Sequence, residues 1–218
     1  WAELGCRGWD FESVLPYFKR LENFENGADA FRGADGPLCV SNLRSRHPLS
    51  EAFVQSCVNA GMLFKEDINT PPQEGVGYVQ ATQRKGWRHS ASRAYLWPAK
   101  RRRNLTILTH AHALRVRFEG KKAVGVDYSH NGRTVRTDAS KAVILSAGTF
   151  GSPQLLMLSG VGPAAHLREH DIDVVHDLPG VGENLQDHAG ANCTVWVNRT
   201  TYNVQTGLLN YLIFGLQW

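Results

Sequence analysis

Three features of the chain predict an α/β fold. A run of small and branched apolar residues, AVILSA at 142–147, runs into a glycine and then a helical pattern, as expected of a strand covered on both faces followed by a helix. Ahead of it lie four strand-like runs, at 105–110, 114–118, 123–128 and 134–137, broken by Glu119-Gly120 and Asn131-Gly132. Asn-Gly is a strong hairpin signal because both of its residues tolerate positive φ. Earlier still, two helical patterns alternate with turn-rich segments, and no internal repeat or low-complexity tract interrupts the order.

The first helix is expected over 11–24, where Val14, Leu15, Phe18 and Leu21 share a face and Asp10 stands at the capping position. Turn chemistry at 33–37 separates it from a short strand at 38–40, and a second helix at 49–60 is closed by Gly61. Residues 70–86 are rich in proline, glycine and glutamine and predict loops with one strand around Tyr78 and Val79. A short helix at 90–96 is expected to end at Pro98. The apolar stretch 207–218 reads as a core helix and is short of the roughly 20 residues that a membrane span requires.

Composition sets a class but no activity. The 218 residues are 42% apolar and 20% charged, typical of a globular protein, and 24 basic against 20 acidic residues is too mild a surplus to indicate nucleic acid. The run Lys100 to Arg103 lacks interleaved aromatic residues and reads as a solvated connection. Cys6, Cys39, Cys57 and Cys193 form no CxxC pair, so they read as free thiols in a reducing compartment; with no secretory leader visible, a cytoplasmic location is expected.

Residues 143–162 carry the chemistry. The strand ends in Ser146, Ala147 and Gly148, whose small side chains let a ligand or another backbone come close. Ser152 is expected to cap a helix that starts at Pro153, turns Leu155 and Leu158 inward and stops at Gly160. Helix N-terminal amides at such a corner can face an anion such as a pyrophosphate; a corner that binds nothing is the alternative.

The stretch SAGTFGSPQLLMLSGVG at 146–162 resembles the second signature of the glucose-methanol-choline (GMC) oxidoreductases, and DLPGVGENLQDH at 177–188 is similar to the segment that follows it in that family. The likeness extends through GCRGW at 5–9, LPYF at 15–18, residues 86–96, NLTILT at 104–109 and Gly125-Val126. It implies an α/β, FAD-binding, Rossmann-like domain of the glutathione reductase type with a sheet-based (α+β) substrate domain, only part of which is in this chain. Residues 1–103 would mix FAD-domain cover with substrate-domain segments, 104–190 would belong to the FAD-binding domain, and 191–218 would begin a substrate-domain segment. The resemblance implies that the main chain of Ala113 meets the adenine and that Ser146, Ala147 and Gly148 lie near the adenosine and pyrophosphate of FAD.

The implied reaction takes a primary alcohol, choline-like or aryl/alkyl, to its aldehyde by hydride transfer to flavin, with oxygen or a quinone-type acceptor as the next partner. The family's opening G-x-G-x-x-G loop and its C-terminal catalytic histidine have no match within residues 1–218, so no catalytic residue is assigned and the chain alone is expected to be inactive. A non-catalytic remnant is one alternative reading. Another is a zinc hydrolase built on His166, Glu169 and His170, which match H-x-x-E-H but lack an identifiable third ligand.

Other patterns carry less. Gly160-Val-Gly-Pro-Ala-Ala165 mimics a dinucleotide loop but follows a helix, and Gly180-Val-Gly182 is a turn after Pro179. His110 and His112 would share one strand face, and sequons at Asn104, Asn192 and Asn198 read as chance. Tyr78, Trp87 and Trp97 fit core packing better than a substrate pocket.

Overall fold

Asp10 decides where the first long helix begins. Its carboxylate accepts the Ser13 N–H (2.9 Å) and the Ser13 hydroxyl (2.9 Å), and α1 then runs Phe11–Leu21. The computed structural model describes residues 1–191, 194–202 and 207, and divides into two compact units, Trp1–Thr106 with Val197–Trp218, and Ile107–Trp196.

In the first unit α1 stops three residues earlier than the helical spacing suggests. Glu22–Phe24 instead forms strand β1, paired in parallel with β2 (Leu38–Asn42), because ladder bonds to β2 override the local pattern. Helix α2 (Pro48–Asn59) is capped by His47, whose Nδ1 accepts the Leu49 N–H at 3.1 Å, and is followed by Gly61 in the left-handed region. Strands β3 (Phe64–Lys65) and β4 (Val76–Gly77) pair in parallel. Strand β5 (Gln80–Ala81) joins β2 in antiparallel fashion, so the expected strand at Tyr78 and Val79 is replaced by two that flank them.

A tight hairpin of β6 (Gln83–Arg84) and β7 (Trp87–Arg88) follows, its Lys85-Gly86 turn having both φ angles positive, the geometry that matches strand twist. Residues Ser92–Leu96 are π-helical and α3 (Trp97–Ala99) continues from them, so Pro98 does not end the helix as expected; it sits in the first turn of α3, where its missing N–H is tolerated.

Arg32 is a buried charge of this unit. Its guanidinium lies 2.8 Å from Glu22 and 3.3 Å from Asp67 and stacks 4.0 Å over the Phe24 ring. It thereby ties the β1 strand to the loop after β3. Arg32→Ala would leave two partly buried carboxylates without a counter-charge and is expected to destabilise the chain by about 3–5 kcal/mol, read from the shift in urea midpoint.

The second unit starts with a three-stranded antiparallel meander, β8 (Ala111–Glu119), β9 (Lys122–His130) and β10 (Arg133–Asp138), in the order β10-β9-β8. The two predicted turns fall between these strands, whereas the strand expected at 105–110 is absent; His110 has φ 55°, which breaks the extended run and removes the face it would share with His112. Helix α4 (Gly148–Leu158) packs on β8, and β11 (Val161–Gly162) pairs in parallel with β12 (His176–Asp177) around α5 (Ala164–Glu169). Leu167 of α5 is fully buried, which stabilises by about 1.5–3 kcal/mol.

Residues 142–147 do not form the doubly covered strand that their composition predicts. Val143 and Leu145 are half-buried and Ile144 is 85% exposed, because among the described residues no strand pairs with this segment. The stretch 207–218, read from sequence as a helix, lies outside the described residues except for Gly207.

Asp127 organises the meander. Only 4% exposed in the middle of β9, it faces Arg115 at 2.9 Å, Arg136 at 3.4 Å and Arg117 at 4.0 Å. The hydrogen bond from Arg115, with the positive charges of Arg115 and Arg136 behind it, holds its carboxyl below the ordinary value of 3.8 against the opposing effect of burial. A lowered carboxyl pKa stabilises the fold in full above 3.8, and the contribution is lost as pH falls through the lower folded-state value. The urea midpoint is therefore expected to drop between about pH 5 and about pH 2, and Asp127→Asn to flatten that drop.

Candidate active site segment

The bend that leads into α4 at 146–150 is set by Gly148, which has φ 81°. A side chain there would be strained in conformation, yet a Cβ placed on it would meet no atom within 4 Å. Ser146, Ala147, Thr149 and Phe150 are all exposed beside it, so the bend offers bare main chain to its surroundings. The helix begins at Gly148 and not at Pro153, because Ser152 lies one turn inside and reaches back: its hydroxyl accepts the Ala147 N–H at 3.0 Å. Pro153 lies within α4 beyond its first turn, so the helix forgoes the i→i−4 bond that another residue would donate to the Thr149 carbonyl.

Ser159 anchors the other end of α4. Its buried hydroxyl donates to the Leu155 carbonyl (2.5 Å) and accepts the Val116 N–H of β8 (2.8 Å), spending the outward-facing bond of an edge strand on the helix. Leu155 is 8% exposed as predicted, whereas Leu158 points into the open and is half exposed, since α4 rests on β8 through one narrow side only.

Ala113 lies on the same edge strand, exposed and opposite Tyr128, at a register shift that ends at Arg115. Its main chain is thus reachable, but no hydrogen bond joins it to the 146–148 bend among the described residues. A cavity of about 520 Å³ lies instead at the C-terminal end of α4 between Arg115–Phe118 of β8 and residues 171–175, and none of the four predicted cofactor residues lines it. Sequence reading missed the Ser159 clamp and the Asp127 cluster. The available signals were a charged residue inside the alternation of β9 and a serine placed after LLML, both too common to single out.

The patterns read as decoys resolve in structural terms. At Gly160 a Cβ would lie 2.4 Å from the Asp173 carbonyl oxygen, so this glycine permits a close backbone approach within the fold. Its own carbonyl accepts the Val175 and His176 N–H groups. His166 and His170 pack edge to face with centroids 4.7 Å apart, His166 Nδ1 lies 3.8 Å from Glu169, and no group of three or more ligands suited to a metal occurs among the described residues. Trp87 and Trp97 are 76% and 59% exposed, which corrects the expectation of core packing, while Tyr78 meets Phe64 edge to face under the Arg46 guanidinium.

An exposed glycine bend opens α4, and an antiparallel meander precedes it. The family model for GMC oxidoreductases matches residues 1–190, and the chain belongs to that family. It is 47% identical over its whole length to the mitochondrial choline dehydrogenase of Homo sapiens and 49% identical to an oxygen-dependent choline dehydrogenase of Brucella canis. The chain spans 37% and 40% of the length of those two relatives. Among solved structures it resembles an FAD-dependent oxidoreductase from Chaetomium thermophilum (31% identity, TM-score 0.76, 83% of this chain and 34% of that one). A pyridoxine 4-oxidase from Mesorbium loti is comparable (32%, TM-score 0.74, 80% and 35%). The fold is therefore an α/β FAD-binding fragment, and FAD is the cofactor that the family implies.

Replacing Ser159 by alanine would leave the Val116 N–H buried without an acceptor. The expected cost is about 1–3 kcal/mol in urea unfolding, with amide exchange at Val116 rising before that of the β9–β10 pair.

Proposed function

We propose that this chain is the segment of an FAD-dependent alcohol oxidoreductase that holds the nucleotide half of the cofactor, and that the full-length enzyme oxidises a primary alcohol of the choline type to its aldehyde. Identity of 47–49% across the entire chain to two choline dehydrogenases is the observation that carries the substrate class. The open bend at Gly148 supports the cofactor role, since a Cβ placed there would meet no atom within 4 Å and the residues beside it are exposed. Ser146, Ala147 and Gly148 would face that moiety, and the Ala113 main chain would meet the adenine. Residues 104–190 accordingly belong to the FAD-binding domain, with 1–103 and 191–218 contributing cover and substrate-domain segments.

Bound FAD supplies the two-electron acceptor for the hydride that leaves the alcohol carbon. This chain's own part is to bind and orient. The Gly148 bend lets the main chain approach closely, the first-turn amides of α4 present partial positive charge toward a phosphate, and Ser159 holds that helix at a fixed distance from β8. None of the nine histidines is assigned the alcohol proton. Oxygen or a quinone-type acceptor would be the partner that takes up the electrons. A reducing, cytoplasm-like compartment suits the free thiols of Cys6, Cys39 and Cys57, and no helix of the described residues is long and apolar enough to cross a membrane.

The full-length protein is expected to purify with flavin absorbance and to turn over choline. Ala147→Leu adds bulk at an exposed position whose φ of −88° any residue adopts, so the fold should persist while FAD affinity falls by about tenfold or more, about 1.4 kcal/mol. Flavin-to-protein absorbance ratio with far-UV circular dichroism as control decides it: a full flavin complement in Ala147→Leu removes the bend from the cofactor site, and a flavin-free wild type removes the proposal.

A further inference from the structure

The cleft of about 520 Å³ at the C-terminal end of α4 has walls of opposite charge. On the β8 side stands Arg115, whose Nε binds Asp127 at 2.9 Å while its two Nη groups have no partner among the described residues. Its side chain is 57% exposed, so the outer fork of the guanidinium is open. Arg117 beside it is engaged by Asp138 at 2.6 Å and by Asp127 at 4.0 Å. On the facing wall Asp171 and Asp173 are exposed, and their carboxylates have no partner among the described residues.

The walls are built from fixed main chain. Ser159, at the floor, binds the Val116 N–H of β8, and the next residue, Gly160, accepts the Val175 N–H at 2.8 Å. The Ile172 N–H donates to the carbonyl of fully buried Leu167 at 2.9 Å. The segment 171–175 is thus held at a set distance from β8, and among the described residues no ion pair spans the cleft. Between the charges the lining is apolar: Phe118 and Ile172 are half-buried and Leu158 is half exposed.

We propose that this cleft binds a small zwitterion. Its carboxylate would take the open fork of Arg115, the geometry in which a guanidinium reads two oxygens at once. Its ammonium, primary or fully methylated, would sit against Asp171 and Asp173, with the carbon chain over Phe118 and Leu158. A simple anion would face two unpaired carboxylates, and a simple or divalent cation would face Arg115; a molecule carrying both charges satisfies both walls. The volume lies within the range of small-molecule pockets. A choline-type alcohol carries the cationic half alone, so the cleft discriminates against it and in favour of trimethylammonium carboxylates and amino acids.

The test is hydrogen exchange and titration calorimetry on the full-length holoprotein with glycine betaine and γ-trimethylammonium butyrate, with choline and butyrate as half-charged controls. At least one zwitterion is expected to slow exchange at 115–118 and 171–175, which neither control does. Its affinity should fall about tenfold or more in Arg115→Gln and in Asp173→Asn. Arg115→Gln also removes a bond to Asp127; should that variant lose its flavin, Asp171→Asn with Asp173→Asn tests the facing wall alone. Exchange reports on the cleft and choline turnover on the proposed reaction, so a protected but inactive enzyme keeps the cleft and loses the reaction, and an active enzyme without protection does the reverse. Equal protection by choline or butyrate, protection unchanged in the wall variants, or no protection by either zwitterion would each overturn the proposal.

Discussion

One hydroxyl group holds the second unit together. Ser159 accepts from the edge strand β8 and donates to its own helix, so the meander and α4 are joined by a two-bond relay at a single buried atom. An edge strand and a helix flank have no ladder to fix their register, and apolar contact alone leaves sliding freedom; a hydrogen bond in a dry setting removes it. Everything placed on α4 inherits that constraint. The open bend at its N-terminus and the tight Gly160 turn at its C-terminus are positioned relative to β8 because the Val116 N–H has only one acceptor to meet.

Electrostatics in this chain follow two opposite rules. Where a carboxylate is buried it is surrounded, as Asp127 is by three arginines and as Glu22 and Asp67 are on either side of Arg32. Such pairs hold distant segments in place, and their worth lies in the large cost of removing one member. Between Arg84 and Arg103 the rule is reversed, and eight exposed cations make no ion pair among the described residues. The same chain therefore contains a compensated interior and an exposed segment whose charges are unpaired among the described residues.

Much of the architecture was legible in the residues, and the misreadings have physical causes. Asp10 before an apolar stripe announced α1, Asn131-Gly132 announced the β9–β10 turn, and Gly61 marked the end of α2. Helix periodicity could not show that Glu22–Phe24 would leave the helix, because the competing partner, β2, lies fourteen residues or more further on and its ladder bonds are invisible in a local pattern. The Lys85-Gly86 hairpin was overlooked since lysine seldom takes positive φ, and only the pairing of Arg84 with Trp87 makes it do so.

What the sequence determined by itself was the family and the identity of the small-residue bend, because Gly148 stands at φ 81°, a conformation that other residues rarely adopt. The tertiary structure decided the helix start at Gly148, the direction in which Leu158 faces, the burial of Asp127 and the exposure of Trp87 and Trp97. Those outcomes depend on which surfaces meet across long sequence separations. A hydrogen bond between Val116 and Ser159, or an indole left beside four cations, follows from three-dimensional packing and has no local periodicity to announce it.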